Sequence, residues 1–162
     1  MLRKEDIVLH FRSKIDASYY DRLERLFFFN WNQSRYAGRI TQSVNDYAKP
    51  VIIEEGDQIA LVFKDRSVGQ TLHIFDSAND DAELIGVVMY ERDSREQITI
   101  VHLALHERCR RIFKEEKVNI VALVLEELVD IFKKIKGVNR VRIYYINKVI
   151  KLNKEHLAAQ IN

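Results

Sequence analysis

The chain has few residues that interrupt secondary structure or form disulfide bonds: its 162 residues include one cysteine, one proline and five glycines. Because Cys109 has no second cysteine to pair with, a disulfide within the chain is excluded, as is usual for proteins of a reducing compartment. Charged residues at positions 3–6 interrupt the segment after Met1, where a secretory signal would need an apolar core. These absences predict a cytoplasmic protein.

Charge of one sign and long apolar runs are also lacking. Lysine plus arginine number 26 and aspartate plus glutamate 24, so the formal net charge of +2 gives no general attraction to nucleic acid. The most apolar stretch, residues 118–135, still contains charged side chains such as Glu126, Asp130 and Lys133, which excludes a bilayer span. We therefore expect neither a membrane nor a nucleic acid as partner.

What is present is the composition of a folded domain. Hydrophobic residues make up 47% of the chain and charged residues 31%, which is typical of globular proteins and not of disordered ones. A chain of this length is close to the usual size of one domain. We expect residues 1–162 to form a single domain with its own apolar core.

The first third of the chain alternates between strand and helix patterns. Residues 7–11 are apolar and β-branched enough for a short strand, and apolar residues then recur at helical spacing over residues 17–31. Thr41 is a suitable N-cap for a second, short helix through Tyr47. That helix must end before Pro50, because the residue before a proline is pushed out of the α region.

From residue 51 onward the apolar period changes to two, which is the pattern of strands. The segments with this pattern are residues 51–53, 58–63, 71–75, 83–91 and 97–105. Polar turns, residues 76–81 and 92–96, separate the last three. We expect these three strands to form an antiparallel meander.

Helical spacing returns over residues 120–135, and the lysines and Gly137 that follow are typical of a helix C-terminus. Residues 141–146 then predict a strand and residues 147–160 a final helix. A strand, helix, strand series requires a right-handed crossover between parallel strands. The predicted fold class is therefore α/β, or α+β with a mixed sheet, in which a meander precedes a parallel crossover and helices cover both faces.

Three passages of the sequence resemble the GNAT acyltransferase superfamily. Residues 83–88 (Glu-Leu-Ile-Gly-Val-Val) are similar to the family's third strand, and residues 98–106, which end Leu-Ala-Leu-His, are similar to its fourth. The helix and strand of residues 123–145 resemble the family's central crossover. The likeness covers residues 7–147 and implies a GNAT-like fold, in which strands 98–105 and 141–146 are parallel neighbours that diverge near Leu105.

The resemblance also implies a function. It points to an acyl-CoA dependent N-acyltransferase, with acetyl-CoA as co-substrate and a small-molecule or protein amine as the acceptor. It assigns the pantetheine arm to the backbone of Ala104 and Leu105, and further coenzyme contacts to Asn119 and Asn147. The alternative is a GNAT-like protein that binds no coenzyme and acts through protein contacts, and a homodimer is compatible with either.

The sequence departs from the family at the loop that holds the coenzyme pyrophosphate. The family uses glycines there, which permit close backbone approach and positive φ, but residues 108–119 of this chain contain none. Arg110, Arg111, Lys114 and Lys117 could bind phosphate instead, since guanidinium forks match phosphate oxygens. Glutamates at positions 107, 115 and 116 leave open the alternative of a solvated connector whose charges pair with one another.

His102 is the candidate general base, because it lies on the strand that resembles the family's fourth and an imidazole titrates near neutral pH. The alternative is a partly buried histidine with a structural role. No metal site is expected: His102 and His106 are separated by about 13 Å if both lie on one strand, which is too far for them to share an ion.

Overall fold

The computed structural model describes residues 7–28, 50–64 and 69–152. Its helices are α1 (Tyr20–Phe28), α2 (Glu107–Glu115) and α3 (Ile120–Lys133). Its strands are β1 (His10–Arg12), β2 (Ile15–Asp16), β3 (Pro50–Glu55), β4 (Gln58–Phe63), β5 (Gly69–Phe75), β6 (Leu84–Arg92), β7 (Gln97–Leu105), β8 (Arg140–Ile143) and β9 (Lys148–Lys151). The predicted helix near Thr41, the end of the predicted first helix and the chain after Leu152 lie outside the described residues.

The strands form two sheets. The larger has the order β1-β5-β6-β7-β8-β9, and the smaller has the order β2-β4-β3. Strands β5, β6 and β7 pair antiparallel with their sequence neighbours, which confirms the predicted meander. Strands β7 and β8 are parallel, with Gln97 opposite Arg140 and Ile100 opposite Ile143, which confirms that the predicted strands are parallel neighbours. The fold is therefore a mixed α/β fold.

Apolar clusters lie on both faces of the larger sheet. On one face, α3 places Val124, Leu128 and Phe132 in the core with no exposed surface. On the other, α1 and the smaller sheet bury residues such as Leu23 and Leu61. Helices thus cover both faces, which explains why consecutive residues of β6 are buried on either side of the sheet. Within the described part of the chain, no helix has the length and apolarity needed to cross a membrane.

Helix α1 begins later than predicted. Residues Ala17–Tyr19 form a 3-10 turn, and the Asp16 carboxylate accepts a hydrogen bond of 2.8 Å from the Ser18 amide. Such a cap satisfies a backbone donor that a helix start leaves without a partner. The cap also lowers the pKa of Asp16, because the hydrogen bonds from Ser18 favour the charged carboxylate.

The stretch predicted as a loop after β7 contains helix α2. Cys109 and Phe113, four residues apart, both turn toward the apolar cluster of α3, while Arg111 between them is exposed. The helix ends where Lys117 takes a left-handed conformation at φ 59° and the Val118 amide donates to the Phe113 carbonyl. A conformation that usually calls for glycine is therefore adopted here by a lysine.

The predicted final helix is wrong over its first turn. Residues Tyr144–Ile146 form a 3-10 turn, Asn147 is left-handed at φ 49°, and Lys148–Lys151 then form β9, which pairs antiparallel with β8. The physical reason is that pairing with β8 gives these residues partners for their backbone donors and acceptors, which holds them in extended form. The predicted strand 141–146 accordingly ends at Ile143.

Candidate functional site

Pairing between the two parallel strands stops before the C-terminal end of β7. Their last paired residues are Ile100 and Ile143, after which β7 continues through residues 101–105, while the chain after β8 forms the 3-10 turn Tyr144–Ile146, which stays close to β7. A bulge at Val101 lies just beyond the last pair, since Tyr90 lies opposite Ile100 but Met89 lies opposite His102. We call the junction between residues 101–105 and 144–146 the β7–β8 wedge.

Ala104 and Leu105, the predicted contacts of the pantetheine arm, lie on the side of this wedge. They pair with Val87 and Gly86 of β6, and their side chains are buried. A methyl group at Gly86 would lie 2.7 Å from the Leu105 side chain and 3.1 Å from the Ala104 carbonyl, so the absence of a side chain there allows the strands to pack this closely. Only their backbone is therefore suited to contact a ligand in the wedge.

His102 lies on β7 within the bulged segment and is half-buried. Its ring packs edge-on against Phe27 of α1, with ring centroids 4.8 Å apart. Burial lowers the pKa of His102 to about 4, because the charged imidazolium loses its hydration. The side chain is thus uncharged at neutral pH and sits on the α1 face of the sheet.

A large cleft lies between α1 and α2, beyond the ends of β6 and β7. Its volume is about 980 Å³, and its lining includes Arg22, Arg25, Arg108 and Arg111 together with Asp21, Glu83, His106 and Glu107. Arg22 forms an ion pair with Glu83. We call this space the α1–α2 cleft, and it contains Arg111, one of the two arginines predicted to bind phosphate; the side chain of Arg110 lies outside the described part of the structure.

The N-terminus of α3 opens into a separate recess of about 400 Å³, which we call the α3 recess. Asn119, a predicted coenzyme contact, caps the helix there: its side-chain oxygen accepts a hydrogen bond of 3.1 Å from the Ala122 amide. Lys114 and Lys117 line the same recess. The structure therefore places Asn119 beside two lysines and away from Arg111.

Asn147 lies at neither opening. It ends the 3-10 turn that follows β8, in a left-handed conformation that asparagine tolerates better than most residues, and its amide donates to the Tyr144 carbonyl at 3.2 Å. Its residue type is explained by this turn. The predicted site residues are thus distributed over the wedge, the cleft, the recess and a surface turn.

A smaller pocket of about 330 Å³ adjoins the α1–α2 cleft. Cys109 lines it, and burial together with the carboxylates of Glu83 and Asp76 raises the pKa of the thiol to about 12. The thiol is therefore protonated at neutral pH and is a poor nucleophile. We call this space the Cys109 pocket.

Sequence reasoning did not anticipate that His106 joins these two spaces. His106 precedes the first residue of α2, and its Nδ1 accepts a hydrogen bond of 3.1 Å from the Arg108 amide, so it caps the helix. The sequence feature that could have indicated this role is a histidine placed directly after a strand and before a run of charged residues.

In residues 7–28, 50–64 and 69–152, no group of three or more histidine, cysteine or acidic side chains is arranged to hold a metal ion.

Comparison with known proteins finds no relative of this chain. No protein-family model matches the chain, and no match is found among curated proteins or among solved structures. The wedge, the cleft, the recess and the pocket are therefore the grounds on which a function is proposed.

Proposed function

We propose that this chain is an acyl-CoA dependent N-acyltransferase of the GNAT type, with acetyl-CoA as co-substrate and an amine as the acceptor. The observation that carries the proposal is the β7–β8 wedge. Residues 101–105 extend beyond the last residue of β7 that pairs with β8. An amide-containing arm such as pantetheine can bind there as an added strand would, through main-chain hydrogen bonds.

The α3 recess supports the proposal because it suits the coenzyme pyrophosphate. The amides of Ile120 and Val121, at the first helical positions, have no acceptor within the helix and attract an anion together with the helix dipole. Lys114 and Lys117 add positive charge at the same opening. Lysine charge and the left-handed turn at Lys117 would then replace the missing glycines.

The chemistry requires that the amine nitrogen bonds to the thioester carbonyl carbon and that the carbon–sulfur bond breaks with its electron pair on the coenzyme sulfur. The proton that the amine loses ends on that sulfur, which leaves as a thiol. His102 is the proposed proton acceptor. Its low pKa keeps it uncharged, as a base must be, but makes it a weak one. The arrangement therefore favours an acceptor amine that reaches the site already unprotonated.

The test is calorimetric titration of the full chain with acetyl-CoA. The paired change Lys114→Gln with Lys117→Gln should weaken binding by about tenfold, because two charge-assisted phosphate contacts are lost. The paired change Arg110→Gln with Arg111→Gln tells phosphate binding in the recess apart from phosphate binding in the α1–α2 cleft. It should weaken acetyl-CoA binding less than the lysine changes do. Lys148→Gln with Lys151→Gln, on β9, is the matched control for loss of two surface lysines.

The same protein, incubated with acetyl-CoA and a panel of amines, should release free thiol only when an acceptor is present. Absence of any heat with millimolar acetyl-CoA would contradict the proposal. If the lysine changes leave acetyl-CoA binding unaffected and the arginine changes abolish it, the coenzyme phosphates bind in the α1–α2 cleft and not in the α3 recess.

A second function is favoured by α2 and by the burial of His102. A helix occupies the place where the family has its phosphate loop, and the predicted base lies against Phe27 with a pKa of about 4. Both features suit a GNAT-like protein that acts through protein contacts and not by catalysis. Failure to bind acetyl-CoA is the result that this function predicts.

A further inference from the structure

We propose that the α1–α2 cleft and the Cys109 pocket together bind a small organic anion, with its phosphate or carboxylate group in the cleft and its apolar body in the pocket. The two spaces adjoin, because Glu83, His106 and Arg108 line both. The cleft supplies charge and the pocket supplies apolar surface. A ligand with both characters would fill them.

The charges of the cleft favour an anion. Arg22 and Glu83 neutralise one another in an ion pair. Arg25, Arg108 and Arg111 form no ion pair with any residue in the described ranges, and they come from two different helices that face the same space. Against them stand the carboxylates of Asp21 and Glu107, so the remaining charge is positive. Arginine forks suit phosphate and carboxylate oxygens in particular.

His106 adds a directed donor. Its Nδ1 accepts the hydrogen bond from the Arg108 amide, so in the neutral ring the proton is on Nε2. The helix cap therefore fixes the tautomer and leaves Nε2–H as a donor. Because the residue lines both the cleft and the pocket, this donor lies where the charged head of the ligand would meet its apolar body.

The Cys109 pocket suits the uncharged part of the ligand. Its apolar walls are Ile7, Val8, Leu9, Ile85 and Phe113. The Cys109 thiol is neutral and adds to the apolar surface. The carboxylate of Asp76, which lines the pocket, disfavours an anion inside it and so orients the ligand with its charge outward, toward the arginines.

This site is separate from the proposed coenzyme site. Residues 101–105 and 144–146 of the wedge do not line the cleft or the pocket, nor do Lys117 and Asn119 of the α3 recess. The inference does not depend on acyl transfer. Either proposal can therefore fail while the other stands.

The test uses phenyl phosphate, with inorganic phosphate and phenol as the ligands that lack one half of it. Calorimetry on the full chain at low ionic strength should show phenyl phosphate binding at least about tenfold more tightly than either, since it alone uses both charge and apolar burial. Equal affinity for phenyl phosphate and inorganic phosphate would overturn the inference. So would the absence of phenyl phosphate binding at millimolar concentration.

Variants assign the two halves of the site. Arg108→Gln with Arg111→Gln should weaken phenyl phosphate and inorganic phosphate alike, by roughly fivefold or more given that these side chains are exposed. Val8→Asn, at an exposed position of the pocket wall, should weaken phenyl phosphate and leave inorganic phosphate unchanged. Arg95→Gln, an exposed arginine at the opposite end of β6 and β7, is the control and should change neither affinity.

Competition completes the test. Saturating acetyl-CoA should leave the affinity for phenyl phosphate unchanged. Displacement by acetyl-CoA would overturn the inference of a separate site and make the cleft part of the coenzyme site. Phenyl phosphate binding in a protein that does not bind acetyl-CoA would leave this inference standing and reject the proposed acyl transfer alone.

Discussion

At the scale of single residues, the buried His73 and the half-buried His102 show how position decides chemistry. His73 on β5 has no exposed surface; its Nδ1 donates to the Arg12 carbonyl at 2.9 Å, and burial lowers its pKa. Burial also lowers the pKa of His102. In both cases the fold stabilises the neutral ring, because a buried imidazolium without a countercharge is costly.

The stability of the protein should therefore fall as the solution is acidified. In the unfolded chain His102 takes up a proton near its ordinary pKa of 6.5, whereas in the folded chain its pKa is about 4. Above pH 6.5 this contribution to stability is fully present, and it is lost as the pH falls between those values, by roughly 3 kcal/mol at most. Denaturant unfolding of the unmodified protein and of His102→Leu measures it.

The variant His102→Leu should lose less stability than the unmodified protein over that pH range, because its side chain cannot take up a proton. His73→Leu should reduce the pH dependence in the same direction. If the free energy of unfolding of the unmodified protein and of His102→Leu depends on pH in the same way, His102 is not desolvated in solution. Its pKa would then be that of an ordinary histidine.

The sequence predicted which residue could act as a base, but not its surroundings. His102 stood out as a titratable side chain on a recognisable strand. Its low pKa depends on burial, and Phe27 of α1 packs against its ring. That contact cannot be inferred from the neighbouring residues of β7. Contacts between distant segments set the chemistry here, and local patterns do not contain them.

At the scale of elements, α3 is the helix whose pattern and environment agree best. Asn119 caps it, and its buried residues Ile120, Leu123, Val124, Leu128 and Phe132 recur at helical spacing. The stripe meets the apolar side of the larger sheet. A helix of this kind is stabilised mainly by the packing of its apolar face.

Replacing Leu128 by Ala should lower the free energy of unfolding by roughly 2–5 kcal/mol, because the side chain has no exposed surface and its removal leaves a cavity. Leu125→Ala makes the same chemical change on the same helix at a half-buried position, and should cost clearly less. Chemical denaturation of both variants measures the difference. Equal costs at the two positions would mean that the helix does not face the sheet as described.

Elements with strong periodicity were predictable, and elements defined by partners were not. The strands Gln58–Phe63 and Gln97–Leu105 have the predicted bounds, because their alternating residues pack on the two faces of a sheet. Helix α2 was missed because its apolar residues are few among many charges. Strand β9 was missed because its extended form depends on the open edge of β8, which is a property of the folded sheet.

At the scale of the whole molecule, the larger sheet has a protected centre, and β9 forms an exposed edge of it. Strand β6 is buried along all but its last residue, with a hydrogen-bonded strand on each side. Strand β9 is the final strand of that sheet; Lys148 and Lys151 are exposed, and so is about half of the Val149 surface. Charged residues of this kind discourage further strand pairing at an edge.

Backbone amides should therefore exchange with solvent at very different rates across the sheet. Exchange through local opening depends on how many buried contacts must be broken, so peptides from β6 should exchange at least roughly tenfold more slowly than peptides from β9. Hydrogen exchange followed by mass spectrometry, at a low and a high protein concentration, measures this. Slow exchange of β9 at high concentration alone would indicate that a second copy of the chain covers this edge, as a homodimer would require. Slow exchange of β9 at both concentrations would contradict the exposed edge, because some other part of the same chain would then have to protect it.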